Sequence, residues 1–432
     1  MRKLFTHFTI LTLFAVYAMG QTGPIGWASV NADGQDGTTG GAGGNVVTVD
    51  NMTDLMIFST DPQPYIIQID GLITITPKGR HISVGSNKTI IGLNAQSGIV
   101  EGGFSVGNNV KNIIFKNLVI SDTFLEGDWD GKEQDWDGIQ IKGTCSHIWV
   151  DHCTFFRQGD GAVDITNGAS YVTVSNCLFG QNNKASLIGS SDSDTYTESY
   201  KVTMHHNWFN ETTQRHPRVR FGMVHLFNNY YYNMGGYGRE MDYAISNGYG
   251  VGVGASAKIY SEHNYFEKVV YPVQFYDNTS QPGYIVDIGS VTVESGDIST
   301  KPEGIEWDPS DYYEYSLDDA EAVKEFVMAN AGTYDNPVNS ANPMFNSFAI
   351  DLKCYPNPLV HYTNIVFTLP TSGTATVKLY NLIGQVTQVV THGTYPAGQN
   401  EIQLQRGDLR SGIYIVQIEF KGKSITRRLL VQ

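Results

Sequence analysis

The chain has 432 residues and a formal net charge of -15, so it can build one large core plus a smaller domain and is too acidic for a general nucleic-acid binder. An acidic polymer is within reach only through a local basic site or a bridging cation. Gly (46) and Tyr (25) are abundant and charged residues make up only 16%, which favours an all-β, turn-rich chain over a helical one.

In chain order, residues 1–20 read as a signal peptide. Arg2 and Lys3 are its positive start, residues 8–19 its apolar run, and Ala18-Met19-Gly20 a small-x-small cleavage site that starts the mature chain near Gln21. The run is short for a membrane anchor. Residues 22–45 are Gly-rich and read either as a flexible linker or as a lead into the strand-like text from Val46. No Gly-Lys-Ser/Thr follows, which excludes a phosphate loop.

From about residue 110 a unit repeats. An alternating apolar run is followed by Asn or His and then, two residues on, by an apolar or aromatic pair: Asn117, His152, Asn176, His206, Asn228 and His263 hold the polar place. Successive intervals are 35, 24, 30, 22 and 35 residues, a near-constant minimum with excess inserted at one corner, as in a solenoid. The unit is too short for a strand-helix pair and is rich in β-formers. The expected fold is therefore an all-β, right-handed parallel β-helix. Stacked amides and imidazoles at a bend can satisfy each other and the backbone, so the Asn/His column is read as a structural ladder and not as a set of catalysts. Residues 318–331 are the one convincing helical stretch.

The text changes after residues 341–353. From Cys354 the chain gives Cys-Tyr-Pro-Asn-Pro358 and then short alternating strands, ending in a basic and apolar last strand at residues 423–431. That is a small β-sandwich, and it carries no catalytic cluster. The expected organisation is a signal peptide at 1–20, a β-helix at 21–346, a linker at 347–353 and a sandwich at 354–432. Of the four cysteines, Cys153 and Cys177 fall at the same place in successive repeats and are read as stacked neighbours and not as a bridge. No Cys-x-x-Cys pair supplies a zinc site.

Chemistry concentrates between Asp135 and Arg220. Asp160 and Asp164 lie four apart, Asp137 is one coil earlier, and Asp135 stands beside it. Three converging carboxylates suit calcium, with Asp135 joining them or holding a second ion. A solvated acidic face or turn capping is the alternative. Lys184 and the segment Arg215-His-Pro-Arg-Val-Arg220 supply the opposite charge, as a surface basic loop or as a clamp. Arginines beside a bridging cation are what a polyuronate needs. The same aspartates can be drawn as a hydrolase pair, but hydrolysis leaves the lysine and arginines unexplained.

At these residues the chain resembles a polysaccharide lyase of the pectate lyase family 1 type, over roughly residues 24–290. The resemblance is carried by Trp149-Val-Asp-His152, Arg215-His-Pro-Arg-Val-Arg220, Gly159-Asp-Gly-Ala-Val-Asp164, Lys184 and Asp135-Trp-Asp137. It implies a parallel β-helix and calcium held by Asp137, Asp160 and Asp164, with Asp135 as an accessory acid. It also implies Lys184 on the substrate carboxylate, Arg215 as the base and Arg220 as a substrate anchor. Asp160 stands where some members carry Glu, and the calcium acids argue for demethylated polygalacturonate over methyl-esterified pectin. The implied reaction is β-elimination. An arginine base requires neighbouring cations that disfavour its charged form, so activity is expected to rise at alkaline pH. A polygalacturonase-like hydrolase, a pectin lyase tolerant of esters and a non-catalytic adhesin are the rivals. From Cys354 the chain resembles the sorting domain of the type IX secretion system, on its Pro-Asn-Pro start, its Gly-Ile-Tyr-Ile-Val strand and its basic end. That implies a protein released outside the cell or held at its surface. A carbohydrate-binding module would want an aromatic platform, and this segment has no Trp. A monomer is expected.

Overall fold

The computed structural model describes residues 23–335 and 351–432, apart from 198–199, 244–247, 370–371, 382–385, 397 and 421–422. The proposed signal peptide and most of the proposed linker lie outside the described residues. The described chain forms two units, a solenoid over 23–335 and a smaller body over 351–432.

The solenoid has three parallel sheets of ten, nine and eight strands, visited in rotation. It is the parallel β-helix that the repeats predict. Register is kept from coil to coil: Ile113, Ile148, Val172, Val202, Val224, Ile259 and Ile285 pair in succession. All seven are buried. Parallel strands lie about 4.8 Å apart, which is also a good separation for stacked rings. Phe155, Phe179, Phe209, Tyr231 and Phe266 accordingly form one inner column with centroids 4.4–5.1 Å apart.

The Asn/His column needs a correction. Asn117, His152, Asn176, His206, Asn228 and His263 all have φ between 47° and 55°, the left-handed conformation of a tight corner, which Asn tolerates better than most residues. Their side chains do not stack into a ladder with each other. They tie down other segments: His206 Nε2 meets Asp318 Oδ2 at 3.2 Å, and Asn117 Oδ1 accepts from Tyr334 N. The hydrogen-bonded ladder sits one residue later, where Asn207 donates to Asn229 and Asn229 to Asn264, each at 3.0 Å. Cys153 and Cys177 occupy this same ladder position, with Cys153 N donating to Cys177 Sγ at 3.4 Å, and all four cysteines are free thiols.

The helix expected at 318–331 spans Ala320–Asn330, capped by Asp319. It is not the only one of length: Met52–Thr60 is also an α-helix, capped by Asn51 Oδ1 accepting from Asp54 N. Its Leu-Met-Ile-Phe run is apolar on every side, so no helical stripe announced it. The Gly-rich segment is no free linker. Asn112 Oδ1 accepts from both Thr39 N and Gly40 N at 2.7 Å, and a side chain at Gly41 would collide with the Tyr65 carbonyl.

The smaller unit has antiparallel sheets of three and four strands around a core that includes Leu352, Phe367, Val377, Leu379, Val416 and Ile418. Its last strand, Lys423–Val431, pairs along Gly412–Phe420.

Candidate functional site

The rotation of the chain stacks the predicted site residues. Strands Ile139–Lys142, Val163–Thr166, Leu187–Ile188 and Arg218–Val219 are consecutive neighbours in the eight-stranded sheet. Asp135 and Asp137 precede the first, Asp160 precedes the second, Lys184 the third and Arg215 the fourth. Gln140 registers with Asp164, Ile165 with Ile188, and Leu187 with Arg218. Val163, Ile165, Ile188 and Val219 are buried in the core. The alternation of a strand then points Asp164 and Arg218 outward.

Asp135, Asp137 and Asp160 each offer a carboxylate oxygen, and the three lie within 4.8 Å of one another. Asp164 stands beside this group. Asp137 Oδ1 accepts from Gly161 N at 2.7 Å and its Oδ2 from Gln140 Nε2 at 2.9 Å, while Asp164 Oδ1 accepts from Leu187 N at 2.9 Å. Burial, and then the charges of Asp164, Asp135 and Asp160, push the Asp137 carboxyl well above its ordinary range. Burial also lifts Asp164 to about 7, against the pull of Arg215. Carboxyls held this close, two of them out of water, resist ionising together. A hard divalent cation with oxygen preference would relieve that repulsion, and the donor set fits one.

The cations lie against the same acids. Lys184 Nζ is 2.5 Å from Asp160 Oδ1 and donates to the Asp130 carbonyl. Arg215 Nη1 is 3.7 Å from Asp160 Oδ1 and 3.8 Å from Asp164 Oδ2. Arg215 has φ 65°, and its Nε is buried without a hydrogen-bond partner. The turn that holds it is pinned by buried His216, whose Nε2 meets Thr212 Oγ1 at 2.6 Å and whose Nδ1 meets the Tyr249 carbonyl at 2.7 Å. Burial lowers this imidazole to about 4, so it stays neutral. Arg220 is engaged by Asp192 Oδ1 at 2.5 Å and by the Gly189 carbonyl at 3.1 Å.

All seven predicted site residues therefore line one face, with Asp135, Asp137, Asp160, Asp164, Lys184 and Arg215 in one cluster and Arg220 a few residues along. His152 and His206 lie at the opposite corner, between the ten- and nine-stranded sheets. There the Trp149-Val-Asp-His152 segment is a structural knot. Asp151 binds Lys116 at 3.1 Å and His152 at 2.8 Å, and accepts from Ser175 and Asn176.

Several partners escaped the sequence. His216 lies inside the Arg215–Arg220 segment, where no sequence signal assigned it a role, and Gln140 and Asp192 bear no motif. Nor does the aromatic bridge on the flank of the site. The loops that follow Val119–Ser121 and Tyr230–Tyr232 leave the nine-stranded sheet from strands well apart in its order. They meet at Trp129 and Tyr243, stacked at 4.5 Å. Trp129 O accepts from Asn183, beside Lys184. A Trp and a Tyr over a hundred residues apart give no sequence signal of meeting.

Residues 1–336 match the family model described as pectate lyase, and residues 353–432 the model described as a secretion system C-terminal sorting domain. The pectate trisaccharide-lyase of Thermotoga maritima is 42% identical over 228 residues, covering 52% of this chain and 61% of that protein. A pectate lyase of Bacillus subtilis is 35% identical over 209 residues, covering 42% and 48%. The chain thus spans about three fifths or less of the length of these relatives. Among solved structures, a pectate lyase of Bacillus sp. N165 in complex with trigalacturonate superposes with TM-score 0.60 and 26% identity, covering 72% of this chain and 99% of that one.

Proposed function

The chain belongs to the pectate lyase family, and on that premise we propose that it is an exported, calcium-dependent pectate lyase that cleaves demethylated polygalacturonate by β-elimination. The observation that carries the proposal is the single outward face on which Asp135, Asp137 and Asp160 converge within 4.8 Å while Lys184 and Arg215 reach the same acids. A cation site and a carboxylate clamp on adjacent coils suit a uronate better than a neutral sugar.

Asp137, Asp160 and Asp164 would hold the calcium ion, with Asp135 accessory to it. Bound there, calcium supplies charge withdrawal from the uronate carboxylate, which acidifies the C5 proton. Lys184, released from Asp160, contacts the same carboxylate. Arg215 takes the C5 proton. The C5–H electron pair becomes the 4,5 double bond as the C4–O bond breaks, leaving a 4,5-unsaturated end, while the departing oxygen keeps the C4–O electrons, takes a proton from water and becomes the hydroxyl of the new reducing end. Arg220 anchors the polymer once it exchanges Asp192 for a substrate carboxylate. A guanidine accepts a proton only when neutral, so turnover rises toward alkaline pH.

The trigalacturonate bound by the Bacillus sp. N165 lyase and the name of the Thermotoga trisaccharide-lyase support an oligogalacturonate substrate. The sorting-domain match supports export by the type IX route, with residues 1–20 as signal peptide, 21–346 as the lyase and 354–432 as the sorting domain. The enzyme would act as a monomer outside the cell or at its surface. Low-ester and high-ester pectin, each with and without chelator, test the substrate through the absorbance of unsaturated uronates. Fast signal on low-ester pectin, abolished by chelator, supports the proposal. Preference for high-ester pectin, or indifference to chelator, overturns it.

A further inference from the structure

We infer that Arg218 and Tyr276 form a further uronate subsite, in which the Arg218 guanidinium takes the carboxylate of a sugar beyond the one that reacts. The inference rests on the lyase reading above and adds a residue that it leaves without a task.

Three arginines fall within six residues, and two are engaged by acids: Arg215 by Asp160 and Asp164, Arg220 by Asp192. Among the described residues Arg218 faces no carboxylate, and its Nε is buried without a hydrogen-bond partner. Its guanidinium lies instead over the Tyr276 ring, 4.4 Å from the centroid. A planar, stacked guanidinium keeps its outer N–H edge free for a bidentate anion.

The surroundings are shaped for this pose. Arg218 registers with Leu187 on one side and Gly252 on the other. A Cβ at Gly252 would come within 3.2 Å of Arg218 Cγ, so the missing side chain leaves the path along which the arginine crosses to Tyr276. Tyr276 is partly exposed, at 36%. Leu187 N binds Asp164, which places Arg218 about 10 Å from the strand of that acid along the same outward column. A polymer that runs along the sheet from the acid cluster meets this cation next. Burial, and then Arg220, hold the Arg218 pKa below its ordinary value. A bound carboxylate would relieve both effects.

The test measures kcat/KM of Arg218→Ala, Arg218→Lys and Tyr276→Ala on polygalacturonate and on oligogalacturonates of increasing length, with calcium present. Loss of a charge-assisted pair predicts about a tenfold fall for Arg218→Ala, a smaller one for Arg218→Lys, and a fall of several-fold for Tyr276→Ala. The penalty should shrink on the shortest cleavable oligomers, which do not reach the subsite. A uniform penalty at every length, or variants equal to the wild type, overturns the subsite while the lyase reading stands. A wild type that makes no unsaturated product overturns the lyase reading itself. If Arg218→Ala does not fold, Tyr276→Ala carries the same length test.

Discussion

Lys184 Nζ lies 2.5 Å from Asp160 Oδ1, so an acid of the proposed cation site faces the cation proposed to bind substrate. Arg215 shares the same oxygen at 3.7 Å. A metal held by Asp160 would compete with both, and so would link metal binding to the release of the two groups proposed to act on substrate. Asp160→Asn should weaken calcium binding by about tenfold to a hundredfold, since carboxylate count sets affinity. Isothermal titration with calcium reads this without substrate, and unchanged affinity would remove Asp160 from the site.

The acid cluster should make stability depend on pH. Burial raises Asp164 to about 7 and also lifts Asp137, against about 3.9 for an unfolded Asp. A carboxyl raised in the folded state binds more protons folded than unfolded. The contribution of these two acids to calcium-free stability is therefore full at about pH 4 and below and falls as pH rises toward 7, by a few kcal/mol in all. The melting temperature gained on adding calcium should be larger at pH 8 than at pH 5. Equal gains at both would contradict the buried acid pair.

Asp151 behaves in the opposite sense. Burial pushes its carboxyl up, but His152, Lys116 and hydrogen bonds outweigh burial and hold it below the usual range. Its contribution is present above the unfolded carboxylate pKa and is lost as pH falls. Asp151→Asn strands Lys116, at a cost on the order of 3 kcal/mol. Chemical denaturation should show that loss while the folded variant keeps wild-type kcat, because the knot lies at the corner away from the acid cluster. A fall in kcat without a fall in stability would contradict the structural role.

Arg215→Ala should cut kcat by about a hundredfold to ten-thousandfold, the span expected if the proposed general base is lost, with the fold kept and calcium bound at least as tightly, because a cation that competes for Asp160 and Asp164 is gone. Arg215→Lys keeps a charge near Asp160 and Asp164, and recovery of more than a small fraction of kcat would point to an electrostatic role.

Much of this was legible in the sequence, for identifiable reasons. In-register stacking makes sequence intervals a direct record of coil length, so the repeats ending at Asn117, His152 and Asn176 announced the β-helix. Asp137, Asp160, Lys184 and Arg215 were readable because each falls in the short turn two or three residues before its strand of the eight-stranded sheet. The ladder was misread by one residue because the corner and the rung are adjacent and both polar. His206 is such a corner and Asn207 the rung beside it, and only the corner's φ of 54° separates the two roles. Pairings that depend on how loops fold over the surface, such as Arg220 with Asp192, Arg218 with Tyr276 and Trp129 with Tyr243, have no periodicity to betray them.

The most direct test counts products. Polygalacturonate is digested with calcium present, and unsaturated ends, read by absorbance, are compared with new reducing ends. The account predicts one unsaturated end for every bond cleaved, and loss of both signals when calcium is chelated. Reducing ends that accumulate without the chromophore would mean hydrolysis, and would contradict elimination at this site.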